Sequence, residues 1–255
     1  MTLLAISGLS IRFGGIVALD GVSFNAERGH ILGVIGPNGA GKTTIFNCIT
    51  RVYQPDTGSI VFDGQNLLRM QPHQIIASGV ARTFQNLELF GSMTVLENLL
   101  VGQHSSLHGT LIEYAFGLPR AAREERAARK QANDILAFLG LEQYRYALVG
   151  GLPFGLKKRV ELARALVSRP RLVLLDEPAN GLNHEEVGAL TDLFRSLRDQ
   201  LDLTILLVEH HMGLVMAASD RVCVLDFGRK IAEGTPAEIQ KNPAVIEAYL
   251  GETVA

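Results

Sequence analysis

The segment that most constrains this chain is GPNGAGKTT, which runs from Gly36 to Thr44. It follows a short apolar stretch, HILGVIG at 30–36, and leads into a helix predicted over 41–52. The pattern G-x-x-x-x-G-K-T lets backbone N–H groups curl around phosphate oxygens, while the lysine reaches the β- and γ-phosphates. A strand, this loop and a helix in that order predict a nucleotide site in an α/β fold.

Phosphate contacts are expected from the whole loop, and the threonine that follows the lysine is expected to ligate Mg²⁺ through its hydroxyl. The residues are Gly36, Pro37, Asn38, Gly39, Ala40, Gly41, Lys42, Thr43 and Thr44, with Thr43 as the metal ligand. A glycine-rich turn that holds no ligand is the alternative. The flanking strand and helix argue against that alternative, because they place the loop where the chemistry needs it.

The rest of the chain predicts one α/β core with a helical insertion. Residues 1–35 and 58–63 have short alternations and turn glycines that favour an antiparallel sheet, whereas about 93–168 is helical in pattern. Beyond that stretch, apolar strands alternate with helices. The strands are predicted at 171–177, 203–209 and 221–228 and the helices at 184–200 and 211–218. Such alternation predicts a parallel sheet with helices on both faces.

Composition excludes some classes of function. The 255 residues carry a net charge of −2, which argues against an obligate nucleic-acid binder. The two cysteines, Cys48 and Cys223, lie in stretches predicted to be buried, which favours a reducing intracellular compartment. The N-terminus lacks the pattern of a signal peptide, and no apolar run is long enough to cross a bilayer. A role at a membrane would therefore need another chain to supply the spanning part.

Polar side chains end two of the predicted parallel strands. RLVLLDEP places Asp176 and Glu177 at the end of the first, and LTILLVEHH ends in Glu209, His210 and His211. Ligands bind at the carboxyl edge of an open α/β sheet, so these groups should lie near the phosphate loop. Asp176 can hold Mg²⁺ and Glu177 can polarise the attacking water. His210 can contact the γ-phosphate, whereas His211 is expected to cap a helix or face solvent.

One further polar residue follows a predicted strand in ARTFQN. Gln85 comes just before the helical insertion, and its uncharged amide can ligate Mg²⁺ or a water bound to it. Taken alone, this signal is weak.

These motifs together resemble the ATP-binding-cassette ATPases. The phosphate loop, Gln85, LPFGLKKR, LLDEP, GLNHEE and VEHH occur in that family's order, and the resemblance covers essentially the whole chain. The segments IRFGGIVALDGVSF and VIEAYLGE make it look like the ATP-binding subunits of branched-chain amino-acid importers.

The resemblance implies a fold and its subdivision. The fold would be an α/β P-loop NTPase core with an antiparallel β-subdomain and an inserted helical subdomain. Residues 1–255 would form a single nucleotide-binding domain. Within it, 1–86 would hold the β-subdomain and phosphate loop, 87–168 the helical subdomain, and 169–255 the remaining core and C-terminal segment.

The resemblance also implies roles for four residues. Phe13 matches the aromatic residue that stacks on adenine, Gln85 the glutamine that precedes the helical subdomain, Glu177 the catalytic carboxylate and His210 the switch histidine. ATP and Mg²⁺ would be bound, and two subunits would close head to tail over two ATP molecules.

LPFGL stands where the family usually has Leu-Ser-Gly-Gly-Gln. In the family this segment presents a helix N-terminus to the partner subunit's γ-phosphate, which would place Pro153, Phe154 and Gly155 against nucleotide. Proline suits the first helical position, and Gly155 leaves a backbone N–H able to approach a phosphate. The basic residues Lys157, Lys158 and Arg159 that follow are expected to be solvated or paired with carboxylates.

The resulting hypothesis is an ATPase subunit that powers a membrane importer from the cytoplasmic face of the membrane. Its partners would be a second cassette subunit, identical or different, and transmembrane permease subunits, with a solute-binding protein acting indirectly. Nucleic acid is not an expected partner. An exporter or lipid-extraction ATPase, a cassette acting on ribosomes or DNA, and a weakly hydrolysing regulatory subunit stay open at this point.

Overall fold

The computed structural model describes residues 1–83, 88–104 and 118–250, and the chain divides into two compact units. The first comprises residues 1–75 and 171–255, and the second comprises 76–170. The second unit is therefore inserted in sequence between two halves of the first.

The described strands are short in the second half of the chain and long at its beginning. They are β1 (Thr2–Phe13), β2 (Ile16–Glu27), β3 (Ile31–Ile35), β4 (Thr57–Phe62), β5 (Gln65–Asn66), β6 (Val80–Arg82), β7 (Leu172–Asp176), β8 (Thr204–Val208), β9 (Arg221–Asp226) and β10 (Arg229–Gly234).

Helices occur in both units. They are α1 (Lys42–Ile49), α2 (Pro72–Ala77), α3 (Val95–Gly102), α4 (Pro119–Phe138), α5 (Phe154–Leu166), α6 (His184–Leu201), α7 (Met212–Ala218), α8 (Pro236–Ile239) and α9 (Pro243–Leu250), with 3₁₀ turns at Leu67–Arg69, Glu142–Tyr144 and Val149–Gly151.

The first unit begins with an antiparallel sheet in the order β2-β1-β4-β5. Along β1 the apolar side chains of Leu4, Ile6, Leu9 and Ile11 are buried, whereas many of the residues between them are accessible to solvent. A strand whose side chains alternate in this way covers a core with one face only. The predicted antiparallel region is confirmed for the first 27 residues and for β4.

The site is positioned by a parallel arrangement of β9, β3, β8 and β7, which lie side by side in that order, with β10 antiparallel on β9. Every residue of β3, β7 and β8 is buried, as expected for strands covered on both faces. The prediction that residues up to 35 belong to an antiparallel sheet was therefore wrong for β3. The physical reason is that β3, ILGVI, does not alternate apolar with polar side chains. Such a strand needs cover on both faces, which the parallel sheet provides.

The register brings three strand ends to one level. Val34 of β3 lies opposite Val208 of β8, and Val208 lies opposite Asp176 of β7. The residues that follow each strand consequently emerge at the same edge of the sheet, which confirms the arrangement predicted from the sequence.

Helix α1 is shorter than predicted, since it ends at Ile49 and not near residue 52. Thr50 is its C-cap, and Arg51 adopts a left-handed backbone conformation with φ of 63°, which an α-helix does not accommodate. At the start of α6, Asn183 and Glu186 form a capping box that satisfies the first N–H groups of that helix.

In the second unit, α4 confirms the helix predicted over 120–140. Its polar face carries exposed ion pairs one turn apart, Arg120–Glu124 and Arg129–Glu125, as expected of a solvated surface. Its opposite face buries Ala132 and Leu136. A capping box of Thr94 and Glu97 begins α3.

Two further findings concern the membrane and the cysteines. Among the helices that the structure describes, none has the length and apolarity needed to span a bilayer. Both cysteine thiols are buried and free of disulfides. Burial raises the pKa of Cys48 to about 11 and that of Cys223 to about 12, so both thiols are protonated at neutral pH.

The packing of α6 provides a stability test for the first unit. Phe194 is fully buried, so Phe194→Ala should lower the free energy of unfolding by about 3–5 kcal/mol, because it leaves a cavity. On the same helix Leu201 is 41% exposed, and Leu201→Ala should cost less than about 1 kcal/mol. Urea unfolding followed by far-UV circular dichroism measures both. Equal losses for the two variants would contradict this packing of α6.

Candidate nucleotide-binding and catalytic site

The phosphate loop joins β3 to α1 and depends on its glycines for close approach to neighbouring backbone. A Cβ on Gly36 would lie 2.1 Å from the carbonyl oxygen of Leu225, and one on Gly41 would lie 2.7 Å from that of Ala18. Gly41 also has φ of 100°, a conformation that residues with side chains rarely adopt. Only glycine fits these two positions, so the path of the loop depends on both of them.

The loop's side chains divide into buried and exposed sets. Gly36, Pro37, Ala40 and Lys42 are buried, Gly41 and Thr44 are partly exposed, and Asn38, Gly39 and Thr43 are exposed. The Lys42 ammonium donates hydrogen bonds to the carbonyl oxygens of Gly36 at 2.7 Å and Pro37 at 2.8 Å. A cation is thereby held against the loop's backbone at the N-terminus of α1, where anions bind favourably.

The β9–β10 hairpin braces the loop from outside. The N–H of Gly228 donates to the carbonyl of Ala40 at 3.2 Å, and the N–H of Asp20 donates to the carbonyl of Gly228 at 2.8 Å. Arg229 forms an ion pair with Asp20 at 2.6 Å. The shape of the loop is consequently set by β2 and the hairpin as well as by its own sequence.

The carboxylates predicted at the end of β7 are both in place. Asp176 is the last residue of the strand and is 2% exposed. Glu177 follows with φ of 47°, an unusual backbone conformation for a residue with a side chain, and its N–H donates to the carbonyl of Val208 at 2.8 Å. Such strain is often found at functional sites, where surrounding contacts enforce it.

The structure brings Glu177 and His210 into direct contact. The imidazole Nε2 of His210 lies 2.7 Å from Oε1 of Glu177, which is hydrogen-bond distance. Their side chains are 44% and 14% exposed, respectively, which leaves the pair accessible from solvent. Two residues that are 33 positions apart in sequence therefore meet at one place.

A third carboxylate, Glu209, lies behind this pair and was given no role in the sequence analysis. It is 3% exposed. Its Oε1 accepts from the N–H of Ala179 at 2.6 Å, while Oε2 accepts from the N–H groups of His210 at 2.9 Å and His211 at 3.1 Å. The available signal was an acidic residue directly after the apolar run ILLV of β8.

His211 has the capping role predicted for it. It is the N-cap of α7, and its Nδ1 accepts from the N–H of Leu214 at 3.2 Å. Its neighbour His210 is left as the histidine that faces Glu177.

The LPFGL segment lies in the second unit and begins α5. Pro153 is the N-cap of this helix and Phe154 its first residue, so the prediction that proline takes the first helical position was wrong by one residue. The carbonyl of Pro153 accepts the first helical hydrogen bond, from Lys157. Lys157 Nζ donates to the carbonyl of Gly150, and Lys158 lies over the Phe154 ring, so the basic first turn contacts its own helix start.

The remaining predicted residues are Phe13 and Gln85. Phe13 ends β1, is 43% exposed and packs edge-on against Tyr53 with ring centroids 4.9 Å apart. An exposed aromatic face of this kind can stack on a planar base. Gln85 lies outside the described residues.

The donor set suits magnesium. Thr43 offers a hydroxyl and Asp176 a carboxylate, and both are oxygen ligands of the kind that Mg²⁺ prefers. Within residues 1–83, 88–104 and 118–250, no group of three or more His, Cys, Asp or Glu side chains could hold a metal by itself. Mg²⁺ in nucleotide sites usually takes one or two protein oxygens together with phosphates and waters, and the residues present fit that mode.

Comparisons with known proteins agree with this geometry. Residues 19–180 match the family described as ABC transporter, and residues 229–255 match the one described as branched-chain amino acid ATP-binding cassette transporter. The chain is 45% identical to the high-affinity branched-chain amino acid transport ATP-binding protein BraF of Pseudomonas aeruginosa. It is 44% identical to the corresponding protein LivG of Escherichia coli K12. Both alignments cover 98% of this chain and 98% of the relative.

Solved structures show the same fold. The chain resembles a crystal structure of the ADP conformation of an ATP-binding cassette with a TM-score of 0.86, and a nucleotide-free cassette with a TM-score of 0.83. Each is 32% identical, covers 98% of this chain and is itself covered to 99%. The predicted fold class is confirmed. With a phosphate loop, paired Glu177 and His210, and this degree of similarity, the chain belongs to the ABC transporter family, as an ATP-hydrolysing subunit coupled to transport.

Proposed function

We propose that this chain hydrolyses ATP, with Mg²⁺, to drive the import of branched-chain amino acids. The observation that carries the proposal is its 45% identity, over 98% of both chains, to a branched-chain amino acid transport ATP-binding protein. The match of residues 229–255 to a family with a branched-chain amino acid transport description also supports it.

Nucleotide binding begins at the phosphate loop. Lys42 exchanges its bonds to the carbonyls of Gly36 and Pro37 for charge-assisted bonds to the β- and γ-phosphates of ATP. The loop's N–H groups and the N-terminus of α1 stabilise the same negative charge. Phe13 stacks on the adenine.

Thr43, Asp176 and Gln85 would hold the metal or its waters. When bound, Mg²⁺ neutralises charge that develops on the phosphate oxygens. Thr43 lies in the first turn of α1, directly after the phosphate loop, and Asp176 ends β7 at the edge of the sheet from which that loop emerges.

Hydrolysis uses the pair that follows β7 and β8. Glu177 accepts a proton from the attacking water, and His210 contacts the γ-phosphate and orients that water. In the structure these two groups bond to each other, so binding of ATP requires His210 to exchange its bond to Glu177 for one to phosphate.

The site is completed by a second cassette subunit. The start of α5 offers the N–H groups of Phe154 and Gly155 to the partner's γ-phosphate, while Pro153 contributes only its carbonyl to the helix. Phosphate recognition here consequently depends on backbone and not on the serine hydroxyl that is usual in the family.

The membrane partner would be a pair of permease subunits at the cytoplasmic face. In the second unit, the chain around Met93 is hydrogen-bonded to that around Leu148 and Val149, and Phe90, Met93 and Leu148 are exposed. These neighbouring apolar side chains supply area for a contact with another protein. A solute-binding protein would act through the permeases.

Two substitutions test the catalytic roles. Lys42→Ala should abolish ATP binding or hydrolysis, because it removes the main cation that contacts the β- and γ-phosphates. Glu177→Gln should retain ATP affinity but lower turnover by about two orders of magnitude or more, because the amide cannot accept the proton from water. Nucleotide affinity and steady-state phosphate release, with and without Mg²⁺, measure both effects. Near-normal turnover in Glu177→Gln would remove that residue from its role.

The solute is tested by uptake in cells of the source organism that lack this gene. Uptake of labelled leucine, isoleucine and valine should fall, return with the wild-type chain, and not return with Lys42→Ala. Uptake of glutamate, which has a charged side chain, serves as the control and should not change. Unaltered uptake of all three branched-chain amino acids would refute the proposed solute and leave the ATPase assignment intact.

A further inference from the structure

Glu209 makes contacts that local structure does not require. Two of its three partners, the N–H groups of His210 and His211, belong to the turn that follows its own strand, β8. The third, the N–H of Ala179, lies 30 residues away, in the loop after β7. One side chain therefore joins the two segments that carry His210 and Glu177.

The setting makes this contact strong. A buried carboxylate is costly unless its oxygens are hydrogen-bonded, and Glu209 is 3% exposed with both oxygens bonded to backbone N–H groups. Hydrogen bonds to an ionised acceptor are stronger than those between neutral groups. Glu209 thus holds both loops firmly beyond the point where the pairing of β7 with β8 ends.

The loop after β7 is fastened at two successive points. The N–H of Glu177 donates to the carbonyl of Val208, and the N–H of Ala179 donates to Glu209. At the first of these points Glu177 has φ of 47°, a conformation that persists only where surrounding contacts enforce it. Val208 and Glu209 are consecutive, so the end of β8 fixes the backbone path of the loop after β7.

We infer that Glu209 is a positioning residue, which sets the placement of the Glu177 carboxylate relative to the His210 imidazole by holding both backbones. This inference rests on the proposed roles of Glu177 and His210 in hydrolysis. Glu209 does not touch nucleotide in this mechanism; it acts through the two residues beside it.

Two substitutions distinguish the role of Glu209 in joining the two loops from the role of its negative charge. In Glu209→Gln the amide NH₂ must face either Ala179 or the pair His210 and His211, so a donor meets a donor and one attachment is lost. In Glu209→Asp the charge and the acceptor oxygens stay, but the side chain is one methylene shorter and cannot reach both loops. If bridging is what counts, both variants should be impaired.

The kinetic test compares these variants with the wild-type chain. Turnover should fall about tenfold or more in both, because small displacements of reacting groups are costly, while ATP affinity stays at the wild-type value. The matched control is Glu238→Gln, which makes the same change in a carboxylate that also accepts a backbone N–H, from Thr235. It should hydrolyse ATP at the wild-type rate.

A double-mutant cycle distinguishes positioning from general destabilisation. Glu209→Gln should cause a markedly smaller loss of single-turnover hydrolysis in a His210→Ala background than in the wild-type chain, because only the placement of Glu177 is then left to disturb. An equal loss on both backgrounds, or unchanged turnover in Glu209→Gln and Glu209→Asp, would overturn the inference.

A readout that does not depend on activity completes the test. In NMR spectra of histidine-labelled protein, the imidazole signal of His210, assigned by its absence in His210→Ala, should move in Glu209→Gln, whereas those of His30 and His73 should not. An unmoved His210 signal would overturn the inference. Full turnover in Glu177→Gln and His210→Ala would instead refute the proposed roles of those two residues in hydrolysis, on which the inference rests, so the two failures are distinguishable.

Discussion

The parallel register of β3, β8 and β7 is the constraint on which the site depends. Val34, Val208 and Asp176 lie at one level across the three strands, so the phosphate loop, His210 and Glu177 all emerge at the same edge of the sheet. These strands are buried throughout, so shifting the pairing of one strand by one residue would move apolar side chains out of the core. The energy that fixes the fold therefore also fixes the placement of the reacting groups.

Backbone geometry also determines where the phosphate loop and the reacting side chains lie. The phosphate loop requires glycine at Gly36 and Gly41, because neighbouring carbonyl oxygens leave no room for a Cβ. Glu177 reaches His210 from a left-handed backbone conformation, and the contacts of Val208 and Glu209 with the loop after β7 hold it there. Few residues thus supply the side-chain chemistry, and the surrounding backbone fixes the positions of those residues.

Features carried by short, local patterns could be predicted from the sequence. The loop GPNGAGKTT, the apolar strands that end in Asp176 and His210, and the cap formed by His211 all follow from adjacent residues. The bridge made by Glu209 could not, because it depends on which strands are neighbours. Two other features could not be predicted either. The sheet to which β3 belongs depends on tertiary packing, and the end of α1 depends on one residue, Arg51, with φ of 63°. Pro153 was misplaced by one position because proline fits both the N-cap and the first helical turn.

The proposed mechanism requires the phosphate loop of one chain to work with the LPFGL helix start of its partner. Mixing two inactive variants tests it most directly. Lys42→Ala lacks the phosphate-binding cation, and Gly155→Asp places a carboxylate where the partner's triphosphate would lie. A mixed dimer contains one site built from the intact loop of the Gly155→Asp chain and the intact helix start of the Lys42→Ala chain. The mixture should hydrolyse ATP well above the sum of the separate variants, and a mixture no more active than that sum would contradict a shared site.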